Sequence, residues 1–389
     1  MDRITRLRRD QSGMSLVFVG LGMMAMLSAS MLAIDVGMLM TARSQAQNSA
    51  DAGALAGATA LVYDSFTDHS AGGPAVTSAV AAATANQVMG GNVAVGPADV
   101  EFLYGPNGQM NRVRVTVYRR ADHGNPVSTL VARYFGVSTA DIAATATAEA
   151  APANAMTCVK PFTIPDKWIE KQTAPWDGDD TYDAYDNKGV PLANPDIYVP
   201  ATQSGYTGYN QESERGQPLM IRASTGNNIT VSFYFSIAIG GLTGGAAYDW
   251  NIANCNTTIM HFGDPLVSEP GAMTGPTISG AEELIAKDPG AYWDEGTKTV
   301  KGSNGSCSTC GSRSPRVFPI PLYDPIVYDS GKRNGRTADL VLANWIGFFL
   351  DHVDGNGLYG RIIPIGGIYD SSADAAPSGA FPLAIRLVK

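Results

Sequence analysis

Positions 14–34, MSLVFVGLGMMAMLSASMLAI, run for 21 residues without a charged side chain. At about 1.5 Å per residue, a helix of that length spans a hydrocarbon core of about 30 Å. A signal peptide has an apolar region of only about 7–15 residues, followed by a small-residue cleavage site. Here Ser28-Ala29-Ser30 lies inside the run rather than after it. The pattern therefore predicts a retained anchor over 14–40. No proline occurs in 12–61, and helix formers continue past Asp35. One helix of about 50 residues, about 75 Å long, is expected.

Two four-residue ladders lie along this helix. Ala25, Ala29, Ala33 and Gly37 form a small-residue stripe that lets another helix approach closely in lipid. Asp35, Leu39, Arg43, Gln47 and Asp51 form a second line, on which Arg43, Gln47 and Asp51 can pair. Asp35 sits at the outer edge of the span, where reaching water is cheap, so its charge does not by itself mark an intramembrane site.

Beyond the helix the period shortens. An alanine-rich segment, 75–89, follows Pro74 and reads as a second helix stopped by Gly90-Gly91. Stretches 93–104 and 112–120 read as strands, the second alternating Val113, Val115 and Val117 with Arg114, Thr116 and Tyr118. Asn107-Gly108 suggests the turn between them. Segment 127–135 fits either helix or strand, 142–150 is expected as a strand, and 151–155 as a linker. From Met156 onward strands are expected at 229–239, 317–323, 340–350 and 359–365, with a short helix at 279–287. The apolar run 341–350 also fits a helix, but Gly347 and the aromatics Trp345, Phe348 and Phe349 favour strand.

Composition and charge narrow the classes. The chain has 389 residues, 44% of them hydrophobic and 16% charged, with 43 glycines and 23 prolines, which fits a folded, turn-rich body. Net charge is −9, which argues against a nucleic-acid partner. Arg3, Arg6, Arg8 and Arg9 outnumber Asp2 and Asp10 before the span. This basic tail, 1–13, is expected to stay cytoplasmic, with the remainder facing outward. The four cysteines Cys158, Cys255, Cys307 and Cys310 then read as disulfide formers in an oxidising compartment, in any of three connectivities. Cys307-Ser-Thr-Cys310 has the spacing of half a zinc site but lacks a second such pair or a close histidine pair.

Several segments together carry a family resemblance. They are Gln11-Ser12-Gly13, the apolar run, Ala33-Ile34-Asp35-Val36-Gly37, Arg43, and Gln47-Asn48-Ser49-Ala50-Asp51-Ala52-Gly53-Ala54-Leu55-Ala56-Gly57-Ala58. The combination resembles the N-terminal segment of TadG-like proteins of the Tad (tight adherence) system, which assembles Flp-type type IV pili in bacteria. Val113-Arg114-Val115-Thr116-Val117, Tyr134-Phe135-Gly136-Val137, 142–148 and Cys158-Val159-Lys160-Pro161-Phe162 extend the likeness. Longer members carry a von Willebrand factor A domain with a D-x-S-x-S metal motif. The nearest run here, Asp370-Ser371-Ser372-Ala373-Asp374, fails at its last position. Related prepilins are cut after a glycine and carry Glu five residues into the mature chain. After Gly13-Met14 that position is Phe18, which favours retention of the anchor.

The patterns together predict an α+β chain and a single-pass inner-membrane protein: a transmembrane helix continuing into a small pilin-like domain over 41–155, then a β-rich periplasmic domain over 156–389. The resemblance implies that its partners are other Tad/Flp pilus-assembly proteins, and oligomerisation is left open. Chemistry is sparse. Asp177, Asp179, Asp183 and Asp186 can supply oxygen ligands for calcium, though without EF-hand spacing, and a solvated acidic loop is the simpler reading. Asp354-Gly-Asn-Gly reads as a turn. No nucleophile-elbow, zincin, P-loop or Rossmann pattern occurs, so neither an enzyme nor a cofactor is expected. The expected role is a scaffold in pilus assembly or related secretion, and the alternative is a pseudopilin or surface adhesin cut after Gly13.

Overall fold

A computed structural model describes residues 12–388, apart from 174, 187, 225, 227, 303–313 and 334–338. Helix α1, Ser12–Tyr63, is 52 residues long without a break. From Ala42 onward its sequence places an alanine at every fourth position. Ala42, Ala46, Ala50, Ala54 and Ala58 are all buried in one line. Four-residue spacing keeps them on a single face of the helix. Helix α2, Pro74–Thr84, starts on its proline, whose missing N–H costs nothing there. It adds Ala75, Val76, Ala79 and Ala83 to the same core.

Both helices lie against an antiparallel sheet. Strand β1 is Val100–Tyr104, β2 Met110–Arg119 and β3 Ile142–Pro152. Strand β2 buries Val113, Val115 and Val117, while β3 buries Ala144, Ala146, Ala148 and Ala150. Each alanine adds only one methyl, worth about 0.8 kcal/mol. Close approach, rather than side-chain bulk, therefore holds this layer together. At Gly57 a Cβ would come within 2.7 Å of Val113 Cγ1, so even a methyl is excluded where the helix crosses β2. Gly108 takes a left-handed φ of +75° in the β1–β2 turn, as Asn107-Gly108 predicts.

The chain then builds a closed ring of strands. These are β4, Phe162–Pro165; β5, Pro218–Ala223; and β6, Phe233–Ser236. Helix α3, Gly245–Ala253, strand β7, Pro265–Leu266, and helix α4, Thr274–Lys287, follow. Strand β8 is Val317–Tyr323, β9 Leu340–Asp354 and β10 Gly357–Ile363. The pairing order is β7-β9-β8-β4-β6-β5-β10, and β9 also pairs with β10, which closes a barrel. Contacts β5–β6 and β4–β8 are parallel, and the rest of the ring is antiparallel. Phe162, Ile164, Ile221, Phe318, Ile320, Phe348 and Leu358 are buried in its core. A Cβ at Gly347 would strike the Ile363 carbonyl, and one at Gly360 the Phe349 carbonyl and the Phe348 ring. Glycine there lets β9 and β10 approach closely among large aromatics.

The two bodies are tied together. The last strand, β11, Leu383–Val388, leaves the barrel side and pairs with β3, giving the small sheet the order β11-β3-β2-β1. Residues 383–388, from the stretch read as the outer domain, thus complete the small sheet. Glu149 on β3, 1% exposed, pairs with Arg112 of β2 at 2.8 Å and Arg386 of β11 at 2.6 Å. At the base of α1, Tyr63 Oη accepts the Gly366 N–H at 3.1 Å, and Arg215 donates to the Tyr63 carbonyl at 2.8 Å.

Candidate functional site

Helix α1 changes character at one residue. The described side chains before Asp35 are exposed, including Leu16, Phe18, Leu21, Met24 and Leu32. Asp35 itself is 3% exposed. By length and hydropathy this exposed part is able to cross a membrane. From Ala42 to Leu61 one face of the same helix is core. The helix thus emerges from its own domain as a bare apolar rod.

Asp35 clamps a distant loop at that exit. Its Oδ1 accepts the N–H of Leu130 at 2.8 Å and of Val131 at 3.1 Å. Its Oδ2 accepts Val131 at 3.0 Å and Ala132 at 2.5 Å. Those amides open a 3-10 turn, Ala132–Phe135, which ends on Gly136 with φ +87°. The first amides of such a turn have no partner within it, and an acidic oxygen normally supplies one from the neighbouring chain. Here it comes from 95 residues away. Sequence reasoning expected Asp35 to reach water; instead, backbone amides enclose the carboxylate. Only one signal pointed there, an acidic residue directly after the apolar run.

The other expected residues divide. Gln47 donates to Asp51 at 2.8 Å and to the Thr145 carbonyl at 3.2 Å, so this pair ties α1 to β3. Arg43 instead lines an open groove of about 440 Å³ with Val36, Leu39, Met40, Ala140 and Ile142. Ala25, Ala29, Ala33 and Gly37 are exposed, and a Cβ at Gly37 would touch nothing. Cys158 and Cys255 form a disulfide. Cys307 and Cys310 lie outside the described residues.

The acidic loop is engaged locally. Asp179 pairs with Arg222 at 2.6 Å, and Asp177 accepts the Asp179 N–H at 2.8 Å. Asp186 accepts the N–H groups of Lys188 and Val190, each at 2.8 Å, while the Asp183 N–H donates to Asp196. Among the described residues, no three His, Cys, Asp or Glu side chains gather to hold a metal ion. Asp354 accepts the N–H groups of Asn356 and Gly357 in the β9–β10 turn.

Two buried charges were not anticipated. Asp166 accepts the hydroxyls of Tyr198 and Tyr206, each at 3.0 Å, and Asn344 donates to Tyr206 Oη at 2.8 Å. Burial outweighs these bonds and pushes the Asp166 carboxyl up to about 7. Lys160 donates to the Ile252 and Asn254 carbonyls at the end of α3. Burial pulls its ammonium down to about 7. Both sit inside the fold and join loops to the barrel.

No curated protein and no solved structure matches the chain. Residues 13–60 match the Tad family, described as Flp pilus-assembly TadE/G-like. The matched stretch falls entirely within α1, covering both its bare and its buried halves. Helix α1 of this chain is thus similar to the TadE/G-like segment of the Flp pilus-assembly family.

Proposed function

We propose that this chain is a non-enzymatic, membrane-anchored scaffold of Flp pilus assembly or a related secretion machine. One observation carries the reading: the TadE/G-like helix is bare over its apolar half, is clamped at Asp35, and from Ala42 onward lays one face into the core of a folded domain. Such a helix holds a body at a fixed height above a bilayer while offering its lipid-facing half to other helices. The exposed Ala25, Ala29, Ala33 and Gly37 stripe is the surface we assign to partner helices. The basic tail favours a cytoplasmic N-terminus in a bacterial inner membrane, with the barrel in the periplasm. The Cys158–Cys255 disulfide suits that compartment.

The test replaces Ala29 and Ala33 with Leu and measures co-purification with the pilus-assembly proteins from membranes. Loss of partners with unchanged membrane insertion is expected, whereas undiminished assembly overturns the packing role. A second reading is a pseudopilin or surface adhesin cut after Gly13. It is favoured by the same bare half-helix, which a filament core would cover equally well. Mass spectrometry of the N-terminal peptide separates the two readings. A peptide holding Arg8 and Arg9 before an intact Gly13–Met14 bond supports the anchor, and a chain starting at Met14 supports the filament subunit.

A further inference from the structure

We propose that the loop clamped by Asp35 is a second membrane contact, which seats the small domain on the headgroup layer of a phospholipid bilayer. The loop exposes four large apolar side chains within eight residues. Leu130 is 51% exposed, Tyr134 76%, Phe135 71% and Val137 54%. A soluble surface rarely gathers such groups, and a contiguous set marks an interaction site.

The position of the loop chooses the occupant. Asp35 follows directly on the 21-residue uncharged run and holds the amides of Leu130, Val131 and Ala132. The loop therefore stands at the level where the apolar rod ends. With about 30 Å of hydrocarbon in about 40–45 Å of bilayer, each headgroup layer is about 5–8 Å thick. An exposed Tyr or Phe beside Asp35 reaches into that layer. Aromatic rings with one polar edge concentrate at this depth. Arg133 completes the set: its guanidinium lies 5.0 Å from the centre of the Tyr134 ring and 3.2 Å from its hydroxyl. A cation over an aromatic at a lipid surface is placed to meet phosphate. The Asp35 carboxylate makes the placement rigid, because it ties the loop to the spanning helix rather than to the sheet alone. Two contacts, one spanning and one interfacial, fix the tilt of the body as well as its height.

The proposal rests on the membrane-anchor reading of α1, and the experiment keeps the two apart. An environment-sensitive fluorescent amino acid is placed at Phe135, at Leu21 or at Tyr292 in the full chain. Each protein is reconstituted in phosphatidylcholine–phosphatidylglycerol vesicles carrying a spin label near the headgroup or deep in the acyl chain. The expected result is loss of Phe135 emission with the shallow label, loss of Leu21 emission with the deep label, and no loss at Tyr292. Quenching at Leu21 but not at Phe135 overturns the loop contact and leaves the anchor standing. No quenching at either site removes both. In Asp35→Ala, the Phe135 signal is expected to lose its shallow quenching while Leu21 keeps its deep quenching. If that variant fails to fold, the probes in the unaltered background still decide.

Discussion

Asp35 Oδ1 accepts the Leu130 backbone N–H at 2.8 Å, joining the end of the apolar run to a loop 95 positions later. Two neighbouring amides share the same carboxylate. A buried donor left without its acceptor costs about 1–3 kcal/mol. Asp35→Ala strands three donors, but the loop can move toward solvent, so a net loss of about 1–3 kcal/mol is expected. Asp35→Asn keeps one acceptor oxygen and should fall between. Trypsin reads the local consequence, because Arg133 lies within the clamped turn. Cleavage after Arg133 should accelerate in Asp35→Ala in detergent, ahead of global unfolding. Equal cleavage rates in the two proteins would show that the clamp does not hold the loop.

The alanine line of α1 carries a second expectation. Ala54 is fully buried, and a Cβ at Gly57 would press on Val113 Cγ1 at 2.7 Å. Valine has a stiff side chain and its strand is held on both edges, so the neighbour gives little. Overpacking of this kind costs about 1–3 kcal/mol. Gly57→Ala should lower the melting temperature, and Ala54→Leu should lower it further. The exposed Ala29→Leu should leave melting in detergent unchanged. A melting temperature for Ala54→Leu equal to that of the unaltered chain would contradict the close-packed layer.

These two sites also mark what was legible in the sequence. The helix from Ser12 to Tyr63 followed from an uncharged run, the absence of proline and continuous helix formers, all local properties. Strand β2 followed from the alternation of Val113, Val115 and Val117, and β9 from aromatics flanking Gly347. Extents were harder to read. The expected strand 93–104 is regular only over Val100–Tyr104, and the expected helix 75–89 stops at Thr84. Alanine favours helix, yet the alanines of β3 form a strand, because only small side chains fit beneath α1. The partners of Asp35, Asp166 and Glu149 were not legible. Each lies tens to hundreds of positions away, and no periodicity connects one carboxylate to three amides, two tyrosines or two arginines. The small stripe at Ala25 was legible as a pattern, and it stands exposed among the described residues.

Asp166 gives a pH dependence with a definite sign. Its folded carboxyl is pushed up to about 7 from an ordinary value of 3.8. Between those values the folded chain holds a proton that the unfolded chain has released. The contribution of this residue to stability is therefore full below about pH 4 and is lost as pH rises through 7. Lys160 runs the other way. Its folded ammonium is pulled down to about 7, so its contribution is full at high pH and is lost as pH falls through 7. A melting curve of the unaltered chain mixes the two, so the difference between it and Asp166→Asn isolates the carboxyl. That difference should favour the unaltered chain more at pH 5 than at pH 8. A difference independent of pH would mean that Asp166 is not protonated in the fold.

The Cys158–Cys255 disulfide closes a sequence separation of 97 residues, between the entry to β4 and the segment after α3. Cross-linking a loop of that length restricts the unfolded chain by up to about 4–5 kcal/mol on the entropic account. Just beyond the bridge, the Cys158 N–H donates to the Asn256 carbonyl at 2.9 Å, and Lys160 binds carbonyls at the end of α3. These contacts do not run through the sulfurs and are expected to persist without the bridge, so the loss should come mainly from a freer unfolded state. Replacing both cysteines with Ser should lower stability by about 2–4 kcal/mol and leave the barrel folded. Chemical denaturation with circular dichroism reads both effects: an earlier midpoint with an unchanged native spectrum. If the native spectrum itself is lost, the bridge is needed to form the barrel and not only to restrain the unfolded chain.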